Sequence, residues 1–232
     1  MIFVLIYRWS ILFNSARENM HHHHEQPPQP HVPADGVRAL VFVADGSEDI
    51  ETACITDVLV RAGVLVTLCS VMPSRRCTVT MARHLRVTAD TSIDDVTDLS
   101  GYAAVVLPGG MPGAQTIGDH QQAQQLLAEM IRRPDGTIAA ICAAPAVALG
   151  SLLHASGVPL ATCFPAMRER LTSAGCVTVY VDEPVVAAKA ASGCTVITSK
   201  GPATALRFAV ALVERLVGSE KADAVARALL LH

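Results

Sequence analysis

The amino-acid sequence predicts an α/β fold in which one mostly parallel sheet is covered by helices on both faces. Continuous apolar runs such as RALVFVA (38–44) and TIAAICA (137–143) are typical of strands that are buried on both sides. Segments with helical spacing alternate with these runs, as they do in βαβ units. Of the 232 residues, 51% are hydrophobic and only 4% are aromatic, so the core must consist mainly of Ala, Val, Leu and Ile.

The first strand is followed directly by a predicted helix. The run 38–44 is broken by Asp45-Gly46-Ser47, and helical spacing begins in EDIETACITDVLVRAG. Gly63 is expected to end this helix. The stripe expected to face the core consists of Ile50, Cys54, Val58 and Leu59.

The remaining elements follow from the same two periodicities. A strand at 64–71 and a hairpin at 78–90 come next. Further strands are predicted at 103–110, 137–143, 160–164, 177–181 and 194–199, and further helices at 120–133, 144–154, 204–218 and 220–232.

Residues 1–37 are expected to form a disordered extension ahead of a single domain at 38–232. The segment 1–19 is either a mitochondrial-type presequence, since arginines and serines occur there before any acid, or an upstream extension of the gene model with Met20 as the true start. The segment 20–37 is rich in His and Pro and has no apolar periodicity, so it cannot offset its ordering entropy.

Charge and composition exclude several classes of function. A net charge of −3 and an isoelectric point near 6.3 give no basis for binding nucleic acid or an anionic membrane. The apolar run 1–13 is too short to span a bilayer. The chain has no GxGxxG or Walker motif, and nothing beside the run His21 to His24 supports a metal, so we expect neither a cofactor nor a metal site.

The seven cysteines are scattered, without a CxxC pair or the Cys/His spacing of a zinc site. This pattern indicates reduced thiols in an intracellular compartment. We expect the cytoplasm, with mitochondria as the alternative if a presequence is present.

Reactive chemistry is expected at the carboxyl ends of the strands, where Cys142 is the leading candidate. This cysteine lies between a buried strand and a helix, among small alanines that permit a nucleophile elbow. The helix dipole is expected to lower the pKa of the thiol. Glu48 and Glu51 are both candidate partners, and spacing does not choose between them. The pair Gly109-Gly110 could bring backbone N–H groups to an oxyanion.

Five segments together resemble the ThiJ/PfpI superfamily, in the branch of the parkinsonism-associated protein deglycase (cofactor-independent glyoxalase III) and its bacterial relatives. They are RALVFVADGSEDIET, DVLVRAG, VVLPGGMPGAQ, IAAICAAP and TSKGPATA. The resemblance is collinear from about Arg38 to the C-terminus. It implies a flavodoxin-like, doubly wound fold and a homodimer.

The resemblance also implies roles for individual residues. Cys142 corresponds to the family's reactive cysteine, and Glu51 to the buried, protonated glutamic acid beside it. An oxyanion pocket is implied at Gly109, Gly110 and Ala143, and a dimer-related substrate pocket at Arg61 and Arg83. The chain departs from some relatives at two positions: Phe164 replaces a histidine, and Pro184 replaces an arginine.

The implied activity is a cysteine-dependent glyoxalase or protein deglycase. Such an enzyme converts methylglyoxal or glyoxal to lactate or glycolate without glutathione and protects against carbonyl and oxidative stress. The alternative is a redox sensor or chaperone that acts through oxidation of Cys142. A peptidase is disfavoured because residue 143 is alanine and not histidine.

Overall fold

A computed structural model describes residues 36–173 and 178–231. The predicted extension at 1–37 lies almost wholly outside the described residues, as does the run His21 to His24, and both stay predictions. The strands are β1 (Arg38–Val43), β2 (Leu65–Ser70), β3 (Thr78–Thr80), β4 (Arg86–Thr88), β5 (Thr91–Ser92), β6 (Ala104–Leu107), β7 (Thr137–Ile141), β8 (Leu160–Ala161), β9 (Val179–Tyr180), β10 (Val185–Lys189) and β11 (Thr195–Ser199). The helices are α1 (Asp49–Arg61), α2 (Gly113–Asp119), α3 (Gln121–Arg132), α4 (Ala144–Val147), α5 (Gly150–Ala155), α6 (Arg168–Leu171), α7 (Ala205–Val217) and α8 (Ser219–Ala228).

The main sheet has seven strands in the order β10-β11-β7-β6-β1-β2-β5. All neighbours are parallel except β10, which pairs antiparallel with β11 at one edge. The predicted flavodoxin-like α/β fold is therefore confirmed. Because β1, β6, β7 and β11 are parallel, their carboxyl ends meet at one edge of the sheet, which is where ligands bind in open α/β sheets.

Two apolar layers cover the faces of this sheet. Ala39 and Val41 of β1 pack towards α1 and α7 on one face, whereas Leu40 and Phe42 pack towards the α2–α5 side. The alternation follows from the two-residue period of a strand. All four residues are fully buried, as expected for a strand covered on both sides.

The helix α1 differs from its prediction at one position. Val58 and Leu59 are buried as expected, but Ile50 is 54% exposed. The inward position in the first turn is taken by Glu51, which is fully buried. The apolar pattern did not predict a carboxyl at this inward position, because burying a carboxyl is costly unless function or pairing requires it.

Four other elements also differ from the sequence-based expectations. The predicted helix 144–154 is divided into α4 and α5 around Leu149, just before Gly150. The predicted strands 160–164 and 177–181 are reduced to β8 and β9, which form a separate two-stranded sheet. The antiparallel strand β10 was not predicted, because VVAAK alternates too weakly to stand out as a strand.

Within residues 36–173 and 178–231, no helix is long and apolar enough to cross a bilayer. The same residues contain no group of three or more His, Cys, Asp or Glu side chains that could hold a metal ion.

Candidate active site

Cys142 occupies a sharp turn between β7 and α4. Its φ is +64°, a left-handed conformation that is unfavourable for residues with a Cβ. Two backbone hydrogen bonds hold it there: its N–H donates to the Ser199 carbonyl at 2.9 Å, and its carbonyl accepts from the Phe164 N–H at 2.7 Å. This strained turn is the geometry of a nucleophile elbow, which lifts the side chain away from the sheet.

Glu51 lies next to this turn, in the first turn of α1. Its Oε2 accepts a hydrogen bond from the Gly109 N–H at 2.7 Å. The other oxygen, Oε1, is buried, and apart from the Cys142 thiol that interacts with this carboxyl it has no hydrogen-bond partner within residues 36–173 and 178–231. Glu48 has a different role, because it is the N-cap of α1 and its Oε2 accepts from the Glu51 N–H at 2.8 Å. Spacing left Glu48 and Glu51 as alternative partners of the thiol. In the structure Glu48 caps the helix, and Glu51 lies beside the thiol.

The glycine pair forms the floor of the site. A Cβ on Gly109 would lie 2.5 Å from the Cys142 Cβ and 2.9 Å from the Glu51 Oε2. Gly110 has a φ of +85°, and a Cβ there would lie 2.6 Å from the Glu48 N. The loops after β1 and β6 thus meet backbone to backbone, and the Glu48 N–H donates to the Gly109 carbonyl at 3.0 Å. No side chain fits at either glycine.

The N–H groups of Gly110 and Ala143 both interact with the Cys142 sulfur. Two backbone donors that converge on a nucleophile can also stabilise negative charge that develops on an atom bound to it. The oxyanion pocket that the resemblance implies at Gly110 and Ala143 stays a prediction, whereas the N–H of Gly109, its third implied member, is donated to Glu51.

The carboxyl and the thiol influence each other's ionisation. Burial raises the pKa of Glu51 to about 7, against the opposing hydrogen bond from Gly109; the nearby Glu48 raises this pKa further. Burial, followed by repulsion from ionised Glu51, raises the pKa of Cys142 to about 12, although the Gly110 and Ala143 N–H groups oppose this. The expected lowering of the thiol pKa by a helix dipole is wrong, because burial and the charge of Glu51 raise it.

The ionisation of the thiol therefore depends on whether Glu51 is protonated. The repulsion acts only while Glu51 is ionised. A protonated Glu51 removes it and can donate towards the sulfur, which favours the thiolate. While Glu51 is neutral, burial is the remaining main cause that raises the pKa of Cys142.

The two arginines of the implied substrate pocket lie on other segments than the groups described so far. Arg61 is in the last turn of α1, about 15 Å along the helix from Glu51, and forms an exposed ion pair with Asp57 at 2.6 Å. Arg83 lies in the exposed turn of the β3–β4 hairpin, where its N–H donates to Asp49 at 2.8 Å. Their role in substrate binding stays a prediction.

Sequence reasoning missed Gly201 as a site residue. A Cβ at this position would lie 3.9 Å from the Cys142 Sγ and 4.0 Å from the Glu51 Oε1, so Gly201 borders the space above both groups. The available signal was its place in the chain: it follows β11 and precedes a helix, and β11 is parallel to β7. The carboxyl ends of these two strands necessarily lie side by side.

The fold and the site together define a class of α/β proteins, in which a cysteine at a strand-to-helix elbow is paired with a buried carboxyl group. The sequence profile of the DJ-1/PfpI family matches residues 37–215. The chain therefore belongs to the DJ-1/PfpI family.

Individual relatives agree with this assignment. Protein DJ-1 homolog B of Arabidopsis thaliana is 35% identical over 196 residues, covering 84% of this chain but only 42% of the relative, so this chain spans less than half of that protein. The glutathione-independent glyoxalase DJ-1 of Schizosaccharomyces pombe is 30% identical over 199 residues, covering 83% of this chain and 98% of the relative. The structure of oxidised Toxoplasma gondii DJ-1 superposes with a TM-score of 0.74 at 34% identity, covering 84% and 98% of the two chains.

Proposed function

We propose that the protein is a cysteine-dependent glyoxalase that converts methylglyoxal or glyoxal to lactate or glycolate without glutathione. The observation that carries the proposal is the buried Glu51 carboxyl, which interacts with the Cys142 thiol and whose Oε1 has no other hydrogen-bond partner among the described residues. Burying a carboxyl is costly. This pairing therefore supports a proton that the carboxyl exchanges with the thiol and with a bound substrate. The S. pombe relative, which is named a glyoxalase, supports this choice of reaction.

The reaction needs one nucleophile and one acid/base. The Cys142 sulfur adds to the aldehyde carbon, and the resulting oxyanion takes a proton to give a hemithioacetal. Glu51 then removes the proton from that carbon and returns one to the neighbouring carbon, which leaves a thioester. Water hydrolyses the thioester and releases the hydroxy acid and the thiol. One carbon is oxidised and the other reduced, so no external oxidant is required.

The N–H groups of Gly110 and Ala143 would hold the oxyanion that forms in the first step. The same addition could act on early methylglyoxal adducts of proteins, so a deglycase activity is part of the proposal. In the cell, either reaction would protect against reactive carbonyls.

The test is a lactate assay with methylglyoxal in the absence of glutathione. We expect Cys142→Ala to abolish turnover and Glu51→Gln to lower kcat at least 100-fold, as for loss of a general acid/base. Cys77→Ala is the matched control, since this half-buried thiol lies before β3 and contacts the Arg75 carbonyl. Full activity of Cys142→Ala would refute the mechanism.

A redox sensor or chaperone is the second candidate function. It is favoured by the half-buried Cys142 sulfur with backbone donors beside it, since these could bind the oxygens of a sulfinic acid. Intact mass after mild peroxide separates the two functions. If the wild-type protein makes no lactate and gains two oxygens that Cys142→Ser does not gain, the sensor replaces the enzyme.

We further propose a homodimer, formed through α1 and the β3–β4 hairpin. Ile50 and Leu85 are 54% and 52% exposed on these neighbouring elements. Between the elements lies an apolar groove of about 180 Å³, whose lining includes Ala53, Met81 and Val87. A second copy that offers the same face would bury both side chains, as in an isologous interface.

We also propose that the protein works in a reducing compartment, the cytoplasm or, with a presequence, mitochondria. The six cysteines of the described residues are all free thiols.

A further inference from the structure

The space above Gly201 is where three different groups converge. The point that a Cβ of Gly201 would occupy is 3.9 Å from the Cys142 Sγ, 4.0 Å from the Glu51 Oε1 and 3.6 Å from the Phe164 Cδ2. All three are ordinary van der Waals distances. A Cβ could therefore be added at Gly201 without a clash, and the nucleophile, the carboxyl and an aromatic ring all border this one point.

Phe164 is held in this position by the elbow itself. Its N–H donates to the Cys142 carbonyl at 2.7 Å, so the backbone of the two residues is directly connected. Its side chain is nevertheless 42% exposed, which is unusual for a large apolar group beside a buried site. An exposed ring beside the nucleophile offers a flat apolar surface to a molecule that approaches the sulfur.

Two cationic residues that lie close in sequence to Gly201 and Phe164 are already engaged. Lys200, next to Gly201, forms an ion pair with Asp182 at 2.6 Å. Arg168, four residues after Phe164, lies 5.0 Å over the ring of Tyr180, whose hydroxyl donates to the same Asp182. Neither cation is free to bind a carboxylate or phosphate group on a substrate. The space above Gly201 therefore favours an uncharged substituent.

We propose that Phe164 is a specificity-determining residue, and that its ring and the bare backbone of Gly201 form an apolar slot for aryl substituents of α-oxoaldehydes. The proposal rests on the proposed function and adds the substrate class. Phenylglyoxal is the probe: its aldehyde carbon binds the Cys142 sulfur, and its ring packs against Phe164. Addition of water to phenylglyoxal gives mandelate, with the aldehyde carbon oxidised and the ketone carbon reduced.

The experiment compares kcat/KM for phenylglyoxal and glyoxal, measured as mandelate and glycolate formed. We expect Phe164→Ala to lower the ratio of the two values about tenfold, and Phe164→Leu to lower it less. An aromatic contact of about 1.4 kcal/mol accounts for a tenfold effect. Leu160→Ala is the matched control, because Leu160 is equally exposed at 42% in the same part of the chain; it should leave the ratio unchanged.

Failure of the apolar slot and failure of the proposed function give different results. If the wild-type protein converts glyoxal but Phe164→Ala lowers both values equally, the slot is refuted and the glyoxalase stands. If the wild-type protein converts neither substrate, the proposed function fails and the slot fails with it. Because the readout is a ratio, a general loss of folded protein cannot produce the expected result.

Discussion

The side chain of Glu51 combines two unfavourable features: it is completely buried, and its Oε1 has no hydrogen-bond partner among the described residues other than the Cys142 thiol. A group of this kind is tolerated when it stays neutral, and the raised pKa of about 7 keeps it protonated over most of the acidic range. The cost appears when the pH rises, because the folded protein must then hold a buried negative charge beside the thiol.

We expect this residue to make the protein less stable as the pH rises. The pKa of Glu51 rises from 4.5 in the unfolded chain to about 7 in the folded protein. Its stabilising contribution is therefore complete below about 4.5 and lost as the pH rises through about 7. Between pH 5 and 8 the wild-type protein should lose about 2 to 3 kcal/mol of unfolding free energy relative to Glu51→Gln, at 1.36 kcal/mol per pH unit.

Urea unfolding at several pH values measures this difference. Glu214→Gln, on the exposed face of α7, should keep the pH dependence of the wild-type protein. If Glu51→Gln also kept it, the carboxyl would not be protonated in the folded state.

For single residues, the sequence predicted which side chains react better than it predicted their surroundings in the fold. The position of Cys142 followed from the end of a buried strand. The choice of Glu51 over Glu48 came only from the family resemblance, because spacing places both acids at the start of one helix. The pKa of the thiol was predicted in the wrong direction, since burial and the neighbouring carboxyl outweigh a four-residue helix. Burial and mutual orientation are tertiary properties that spacing does not contain.

Among the secondary-structure elements, the β3–β4 hairpin depends on α1 for its position. The Asp49 carboxylate accepts hydrogen bonds from the Arg83 N–H at 2.8 Å and the Leu85 N–H at 3.2 Å. These two bonds connect the first turn of the helix, which carries Glu51, to the tip of the hairpin.

We expect Asp49→Ala to lower the free energy of unfolding by about 1 to 2 kcal/mol, because two charge-assisted hydrogen bonds are lost at a partly exposed site. Asp57→Ala provides the control in the same helix. Its ion pair with Arg61 is about half exposed on both sides, so its loss should cost less than about 0.5 kcal/mol. Urea unfolding of the two variants checks the difference, and equal effects would contradict the proposed connection.

Long periodic elements were predictable, and short ones were not. The strands β1, β6, β7 and β11 and the helices α1, α3 and α7 lie where apolar runs and helical spacing indicated. The helix at 144–154 was wrong, because continuous helical propensity in APAVALGSLLH did not reveal the break near Gly150. The edge strand β10 exists through its pairing with β11, which no local pattern records.

The whole molecule is expected to be a dimer, with Leu85 near the centre of the contact. We expect Leu85→Glu to weaken dimerisation at least tenfold, because a buried, unpaired charge at an interface is costly. Sedimentation velocity over a range of concentrations measures the shift. Val179→Glu, at an equally exposed position (58%) on the separate small sheet, should sediment like the wild-type protein. A Leu85→Glu dimer of unchanged affinity would exclude this face.

The architecture as a whole was the most predictable property, because alternating apolar strands and amphipathic helices allow few arrangements. The sequence did not predict which loops, far apart in the chain, lie side by side in the fold. Gly201 is 59 residues from Cys142 in the numbering, and only the parallel pairing of β7 with β11 brings the two together.

The backbone-to-backbone floor at Gly109 and Gly110 has a consequence for how such a site could be diversified. Any side chain added there would collide with the nucleophile, the carboxyl or the opposing loop, so random mutation at the floor should yield only inactive proteins. New substrate preferences are therefore expected from residues that border the site without forming its floor, such as Phe164 and Gly201.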